Sequence, residues 1–258
     1  MKAIILAAGQ GTRLRPYTED KPKCMVLLAG RPMLHRQIDV LRRNGVEDIS
    51  LVGGYRAECL EAPDVAVITN PRFDQTNMVA TLFCAADQMT PGNGLLISYG
   101  DIVFEDRVLQ AVLEGEGEIV LGADREWRRL WETRMDDPLS DAETFKMRDG
   151  NRVTELGKEP TSYDDAQAQY MGLIKIRGDR VKDFVTAYQG MDRNAEYDGK
   201  DFDNMYMTSF IQHLIDAGWD TRAALVENGW LEVDTASELE VYEEMQADGK
   251  LEAFCRLD

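Results

Sequence analysis

Little in this chain invites zinc or disulfide chemistry. Its four cysteines (Cys24, Cys59, Cys84 and Cys255) form no Cys-x-x-Cys pair, and it has only two histidines, so the usual clustered zinc ligands are missing. Long apolar runs are missing too. Apolar residues make up 44% of the chain, yet no run approaches the ~18 residues of a membrane span. The first apolar run is too short for a secretion signal and gives way to arginine and lysine. Free thiols without a leader point to a reducing cytoplasm. Positive charge is scarce: 29 Lys and Arg stand against 47 Asp and Glu, a net charge of −18. Such a surface repels nucleic acid and anionic membranes, so neither is expected as a partner. Repeats, low-complexity tracts and linker-like segments are also lacking, and 258 residues can bury a substantial core. One domain spanning 1–258 is the simplest account.

The scarce cations gather near the start. Lys2 to Leu6 is an apolar run of strand length, and it opens into Ala7-Ala8-Gly9-Gln10-Gly11-Thr12-Arg13-Leu14-Arg15-Pro16, closing at Lys21-Pro22-Lys23. Small residues let a backbone approach a ligand, and glycine reaches the dihedrals that form N–H-lined nests for anions. With cationic side chains added, the loop has the makings of a polyphosphate cradle. It is not a P-loop, because no Gly-Lys-Ser/Thr follows Gly9 at the required spacing. It is not a dinucleotide fingerprint either: Leu14 stands where the third glycine belongs.

Further along, periodicity sets out alternating elements. Leu34, Ile38 and Leu41 recur at i, i+4 and i+7 and predict a helix from Pro32 to Asn44. Asp48 to Val52 reads as a strand ending in Gly53-Gly54, and Val65 to Thr69 as a second strand of buried type. Met78 to Met89 reads as a helix capped by Thr76 or Asn77. Leu95 to Tyr99 is a central strand ending at Gly100-Asp101. Val108 to Leu113 reads as a helix and Glu118 to Gly122 as a strand. This alternation predicts a Rossmann-like α/β fold, a mostly parallel (mixed) sheet flanked by helices, with ligands gathered at the strands' carboxyl ends. Beyond it come a hairpin over 144–156, a strand over 169–176, a helix capped by Asp179, a helix over 202–217 and two short strands over 222–226 and 230–233. The run Thr235-Ala236-Ser237-Glu238 is a capping box that starts a helix immediately after Asp234.

The string Leu6-Ala7-Ala8-Gly9-x-Gly11-x-Arg13-Leu14-x-Pro16-x-Thr18-x3-Pro22-Lys23 resembles the opening of the nucleotidyltransferases that make NDP-sugars and CDP-alcohols. The resemblance follows motif order along the whole chain, strongest over 1–55. It implies that Leu6, Ala7, Ala8, Gly9, Gly11, Thr12 and Gly54 surround a nucleoside triphosphate and that Arg13 and Lys23 meet its phosphates. It further implies that Asp101 and Asp234 hold Mg²⁺. By itself Asp101 reads equally well as a turn residue. The stretch Thr76-Asn77-Met78-x2-Thr81-Leu82 is similar to one in bacterial phosphocholine-type cytidylyltransferases, where Asn77 and Thr81 would touch base or acceptor; capping is the alternative role for Asn77. Lys158 follows a strand in the place from which relatives reach the acceptor's phosphate, or else is a surface lysine. Gln169 departs from the acidic residue common at the start of the corresponding Glu-Tyr-x-Gly-Leu stretch.

The expectation is a cytidylyltransferase moving CMP from CTP to a small phosphorylated or phosphonate acceptor, with residues 1–123 binding nucleotide and 124–258 binding acceptor. The rivals are a sugar-1-phosphate nucleotidylyltransferase using UTP or dTTP, and a catalytically silent nucleotide-binding subunit. Homo-oligomerisation stays open. Arg125, Arg128 and Arg129, beside Trp127 and Trp131, are candidates for binding an anionic group of the acceptor, and nearby cations argue against choline, which favours an aromatic cage.

Overall fold

A computed structural model describes residues 1–257. The chain runs β1 (Lys2–Ala7), β2 (Leu27–Leu28), β3 (Arg31–Pro32), α1 (Met33–Arg43), β4 (Asp48–Gly53), β5 (Ala66–Thr69), α2 (Met78–Phe83), β6 (Leu95–Tyr99), β7 (Ile102–Phe104), α3 (Asp106–Glu114) and β8 (Ile119–Asp124). It continues through α4 (Trp127–Arg134), β9 (Phe145–Arg148), β10 (Arg152–Leu156), β11 (Gln169–Ile176), α5 (Val181–Gly190), α6 (Met207–Asp216), β12 (Thr221–Val226), β13 (Trp230–Glu232) and α7 (Ala236–Ala247).

Nine strands form one sheet in the order β5-β4-β1-β6-β11-β8-β12-β10-β9. β5, β4, β1 and β6 are mutually parallel, as the βα alternation requires. β11 lies antiparallel between β6 and β8, which makes the sheet mixed. Side chains alternate across a strand, and in β1 Ala3, Ile5 and Ala7 join one apolar layer while Ile4 and Leu6 join the other. The first layer takes Leu34, Ile38 and Leu41 of α1, Val108 and Leu109 of α3, and Leu239 and Tyr242 of α7. The second takes Val79 and Leu82 of α2, Phe184 of α5, and Phe210 and Leu214 of α6. Burial on both faces explains why the central strands read as unbroken apolar runs.

Several elements differ from expectation. The 65–69 run is β5, an edge strand that among the described residues pairs with β4 alone, and its Val67 is 44% exposed. The helix expected over 78–89 ends at Phe83 and passes into a tight turn at Ala86–Gln88. Asp179 pairs with Arg177 and does not cap α5. The expected 202–217 helix splits into a turn at Phe202–Asn204, capped by Asp201, and α6. The capping box at Thr235 and Glu238 is present as read.

Among the described residues no helix is long and apolar enough to cross a membrane.

Candidate active site

Two aspartates 133 positions apart meet because of one short ladder. Asp101 directly precedes β7, and β13 pairs antiparallel with β7 so that Glu232 faces Ile102. One step on, the Val233 N–H donates to the Asp101 carbonyl at 3.0 Å. Asp234 is thereby carried to the carboxyl end of β6, beside the loop that leaves β1. Lys23 closes the triangle. Its Nζ donates to Asp101 Oδ2 at 2.6 Å and to Asp234 Oδ1 at 2.7 Å, and Arg13 pairs with the other side of Asp234. Burial works against the charge on Lys23, but the two aspartates outweigh it and hold the ammonium above its ordinary range. The same cations depress the Asp234 carboxyl against the opposing effect of burial.

The loop between β1 and Lys23 is folded tightly enough to bring these groups together. Gly11 sits at φ 59°, and a Cβ there would lie 3.0 Å from Lys23 Cβ and 3.1 Å from Thr18 Cγ2. The Thr18 hydroxyl donates to the Gly11 carbonyl at 2.7 Å, and Thr12 opens the short turn Thr12–Leu14 that carries Arg13. Just past the neighbouring strand β4, Gly54 lets Phe73 approach so closely that a Cβ would stand 2.4 Å from it.

A first cleft of about 630 Å³ is lined by Leu6, Ala7, Ala8, Gly9, Lys23, Asn77, Thr81 and Asp101, with Phe73 and Tyr99. Asn77 does cap α2: its Oδ1 accepts from the Met78 N–H at 2.8 Å. It lines the cleft as well, so the two roles coexist. Thr81 accepts from the Asn70 amide at 2.9 Å.

A second cleft of about 720 Å³ adjoins the first, with Met78 and Tyr99 common to both. Its chemistry is acidic and aromatic: Asp141, Glu143, Glu232 and Asp234 face Trp131 and Tyr170. Burial, assisted by neighbouring acids, raises Glu143 and Glu232 above the ordinary glutamate range. The Tyr170 hydroxyl is buried beside Tyr99.

Here the expected arginines are elsewhere. Arg128 stacks on Tyr163 at 4.0 Å and pairs with Glu132, while Arg129 lies over Phe254 at 4.5 Å. α4 does border the cleft, but through Trp131. Lys158 also stays apart. Its ammonium pairs with Asp198 and its side chain is 45% exposed, although Gly157 beside it packs against Thr208 of the cleft.

Glu232, Asp141 and Glu143 went unread in the sequence. A signal was available: Glu232 with Asp234, and Asp141 with Glu143, are i, i+2 pairs, the spacing that puts side chains on one face of extended chain.

A cleft beside a small-residue loop that carries cations, and two converging carboxylates bridged by a lysine at the carboxyl edge of a mixed α/β sheet, define a nucleotidyltransferase. Residues 3–155 match the MobA-like NTP transferase domain, and the chain belongs to that family. It is 40% identical over 250 residues to CTP:phosphoglutamine cytidylyltransferase of Campylobacter jejuni, covering 93% of this chain and 98% of that one. It is 34% identical over 110 residues to choline-phosphate cytidylyltransferase of Streptococcus pneumoniae, covering 41% of this chain and 47% of that one. The inositol-1-phosphate CTP transferase structure from T. maritima superposes with a TM-score of 0.72 at 24% identity, covering 99% of this chain and 97% of that one, a likeness of fold.

Proposed function

We propose that this enzyme transfers CMP from CTP to a small phosphorylated acceptor carrying an ammonium group, phosphoglutamine being the foremost candidate, with release of pyrophosphate. The observation that carries the reading is the meeting of Asp101, Asp234 and Lys23 at the boundary of two clefts, one beside the signature loop and one acidic.

The first cleft would hold CTP, with its phosphates against the backbone N–H groups of residues 8–12 and beside Arg13 and Lys23. The second would hold the acceptor. An acceptor phosphate oxygen attacks the α-phosphorus, a new P–O bond forms, and the bond to the β-phosphate's bridging oxygen breaks as pyrophosphate departs. No enzyme nucleophile is needed; the protein's part is alignment and charge neutralisation. Asp141, with Glu143 and Glu232 able to ionise beside a bound cation, favours an ammonium at the far end of the acceptor, and an amino acid's own carboxylate would have to face away from them. Arg128 and Arg129 are engaged on Tyr163 and Phe254 and so no longer weigh against choline.

The residues present also suit Mg²⁺. Asp101 and Asp234 offer hard oxygen donors around a point where a cation already sits, and Asp101 Oδ1 is buried without a hydrogen-bond partner. Magnesium commonly takes one or two carboxylates with phosphate oxygens and waters; when bound it would neutralise charge on the α-phosphate. Lys158 would reach the acceptor only after leaving Asp198, and we assign it the lesser part of a rim residue.

The test is a pyrophosphate-release assay crossing four NTPs with phosphoglutamine, phosphocholine, 2-aminoethylphosphonate and glucose 1-phosphate. Turnover with CTP and an ammonium-bearing acceptor is expected. Turnover with UTP or dTTP and the sugar phosphate would overturn the proposal in favour of a sugar nucleotidylyltransferase.

A further inference from the structure

One buried carboxylate links the wall of the acidic cleft to the backbone of Asp234. Glu238, in the first turn of α7, is 5% exposed. Its Oε2 accepts from the backbone N–H of Asp234 at 2.7 Å and of Thr235 at 3.0 Å. Its Oε1 accepts from Arg134, at 3.0 Å from Nε and 2.5 Å from Nη2. Arg134 ends α4, and its side chain is 1% exposed. The guanidinium lies 4.6 Å from the ring of Trp131, whose indole N–H donates to Asp141 at 3.1 Å. Trp131 and Asp141 both line the acidic cleft. An unbroken series of contacts thus runs from the acidic cleft through Trp131, Arg134 and Glu238 to the backbone of Asp234.

A capping box needs only the Thr235 hydroxyl, the Glu238 carboxylate and the backbone N–H groups of the same two residues. Burying a guanidinium against it is costly unless the charge is well paired. Burial here works against the charge, and the ion pair with Glu238, with Glu232 beyond it, keeps Arg134 protonated. The guanidinium fixes which way Glu238 faces, and the remaining Glu238 oxygen fixes the backbone that aims Asp234.

We propose that Arg134 is a positioning residue that sets Asp234 through Glu238. The inference rests on the reading of Asp234 as a metal- and phosphate-facing carboxylate and goes beyond it by assigning what holds that carboxylate in place. An outer residue that orients a ligand typically changes metal affinity about 10- to 100-fold when removed.

The experiment titrates full-length protein and CTP with Mn²⁺, reading free Mn²⁺ by electron paramagnetic resonance with no acceptor present. Alongside wild type it takes Arg134→Met, Arg134→Lys, Glu238→Gln and Asp234→Asn, with Arg180→Met as a matched loss of a remote stacked cation beside Trp219 and Glu118. Arg134→Met and Glu238→Gln are expected to weaken Mn²⁺ binding about tenfold or more, with Arg134→Lys recovering part of the loss. Arg180→Met should leave binding within about twofold even where its melting temperature falls as far. Folded Arg134→Met and Glu238→Gln proteins that bind Mn²⁺ as wild type does would overturn the inference. Should Arg134→Met fail to fold, the near-isosteric Glu238→Gln decides alone. Unchanged binding in Asp234→Asn would instead sink the underlying reading of the site, which separates the two failures.

Discussion

Replacing Lys23 by methionine removes the cation that holds two carboxylates together. Both aspartate oxygens lie within 2.7 Å of one nitrogen, so they stand no more than about 5 Å apart, and with an effective dielectric near 20 two such charges repel by about 3 kcal/mol. Asp101 and Asp234 side chains are 22% and 20% exposed, and solvent reduces that figure toward about 2 kcal/mol. At roughly 2–4 °C per kcal/mol for a chain of this size, Lys23→Met should melt about 4–8 °C below wild type in EDTA at neutral pH. Two responses identify the cause. Excess Mg²⁺ should restore most of the loss in the variant and do much less for wild type, where the ammonium already neutralises the pair. Lowering the pH should shrink the deficit too, because one carboxylate can take up a proton instead of repelling its neighbour. Scanning calorimetry with EDTA and with Mg²⁺ reads both. Activity should nevertheless stay low in Mg²⁺, down by about 10²–10³ in kcat, since the cation facing the departing pyrophosphate is gone. A variant whose melting ignores Mg²⁺, or one that retains full kcat, would refute the reasoning.

Burial and the neighbouring Asp101 push Glu232 up to about 8, so between its ordinary value and that point the folded chain holds a proton the unfolded chain has released. That contribution to stability is complete at acid pH and lost as pH rises through about 8; in EDTA the melting temperature should fall over this window, and Glu232→Gln should flatten the slope. Gly172 sits at φ 76° with an added Cβ 2.5 Å from the Tyr99 ring, so Gly172→Ala should cost about 2–3 kcal/mol by denaturation and, by shifting Tyr99, raise the acceptor KM. Arg128→Ala and Arg129→Ala, whose guanidinium groups stack on Tyr163 and Phe254, should leave the acceptor KM unchanged in steady-state assays; a rise of tenfold or more would return them to the acceptor's anionic group.

What the sequence revealed follows from the range over which each signal acts. The Gly9 to Lys23 loop is legible because its chemistry is local: small residues, one left-handed glycine and a cation within a single turn of chain. Helices α1 and α3 are legible because their apolar faces repeat at helical spacing against one layer. Val65 to Thr69 misleads because an apolar run carries no record of what pairs with it, and here it pairs on one side only. Asp101 and Asp234 could be proposed as partners from motif order, but what joins them, the antiparallel β7–β13 ladder and its Glu232–Ile102 register, leaves no mark in either segment. The acidic cleft is the deeper case. Arg128 and Arg129 draw attention as charges beside tryptophans, yet a short helix turns them onto Tyr163 and Phe254, while Trp131 on the same helix faces the cleft. Charge counted along the chain therefore gave the acceptor end the wrong sign, and only the packing of α4 against α7 and the C-terminal turn corrects it. Arg134 belongs to the same helix and shows why: its partner Glu238 lies 104 positions away, so its role exists only once α4 and α7 have packed together.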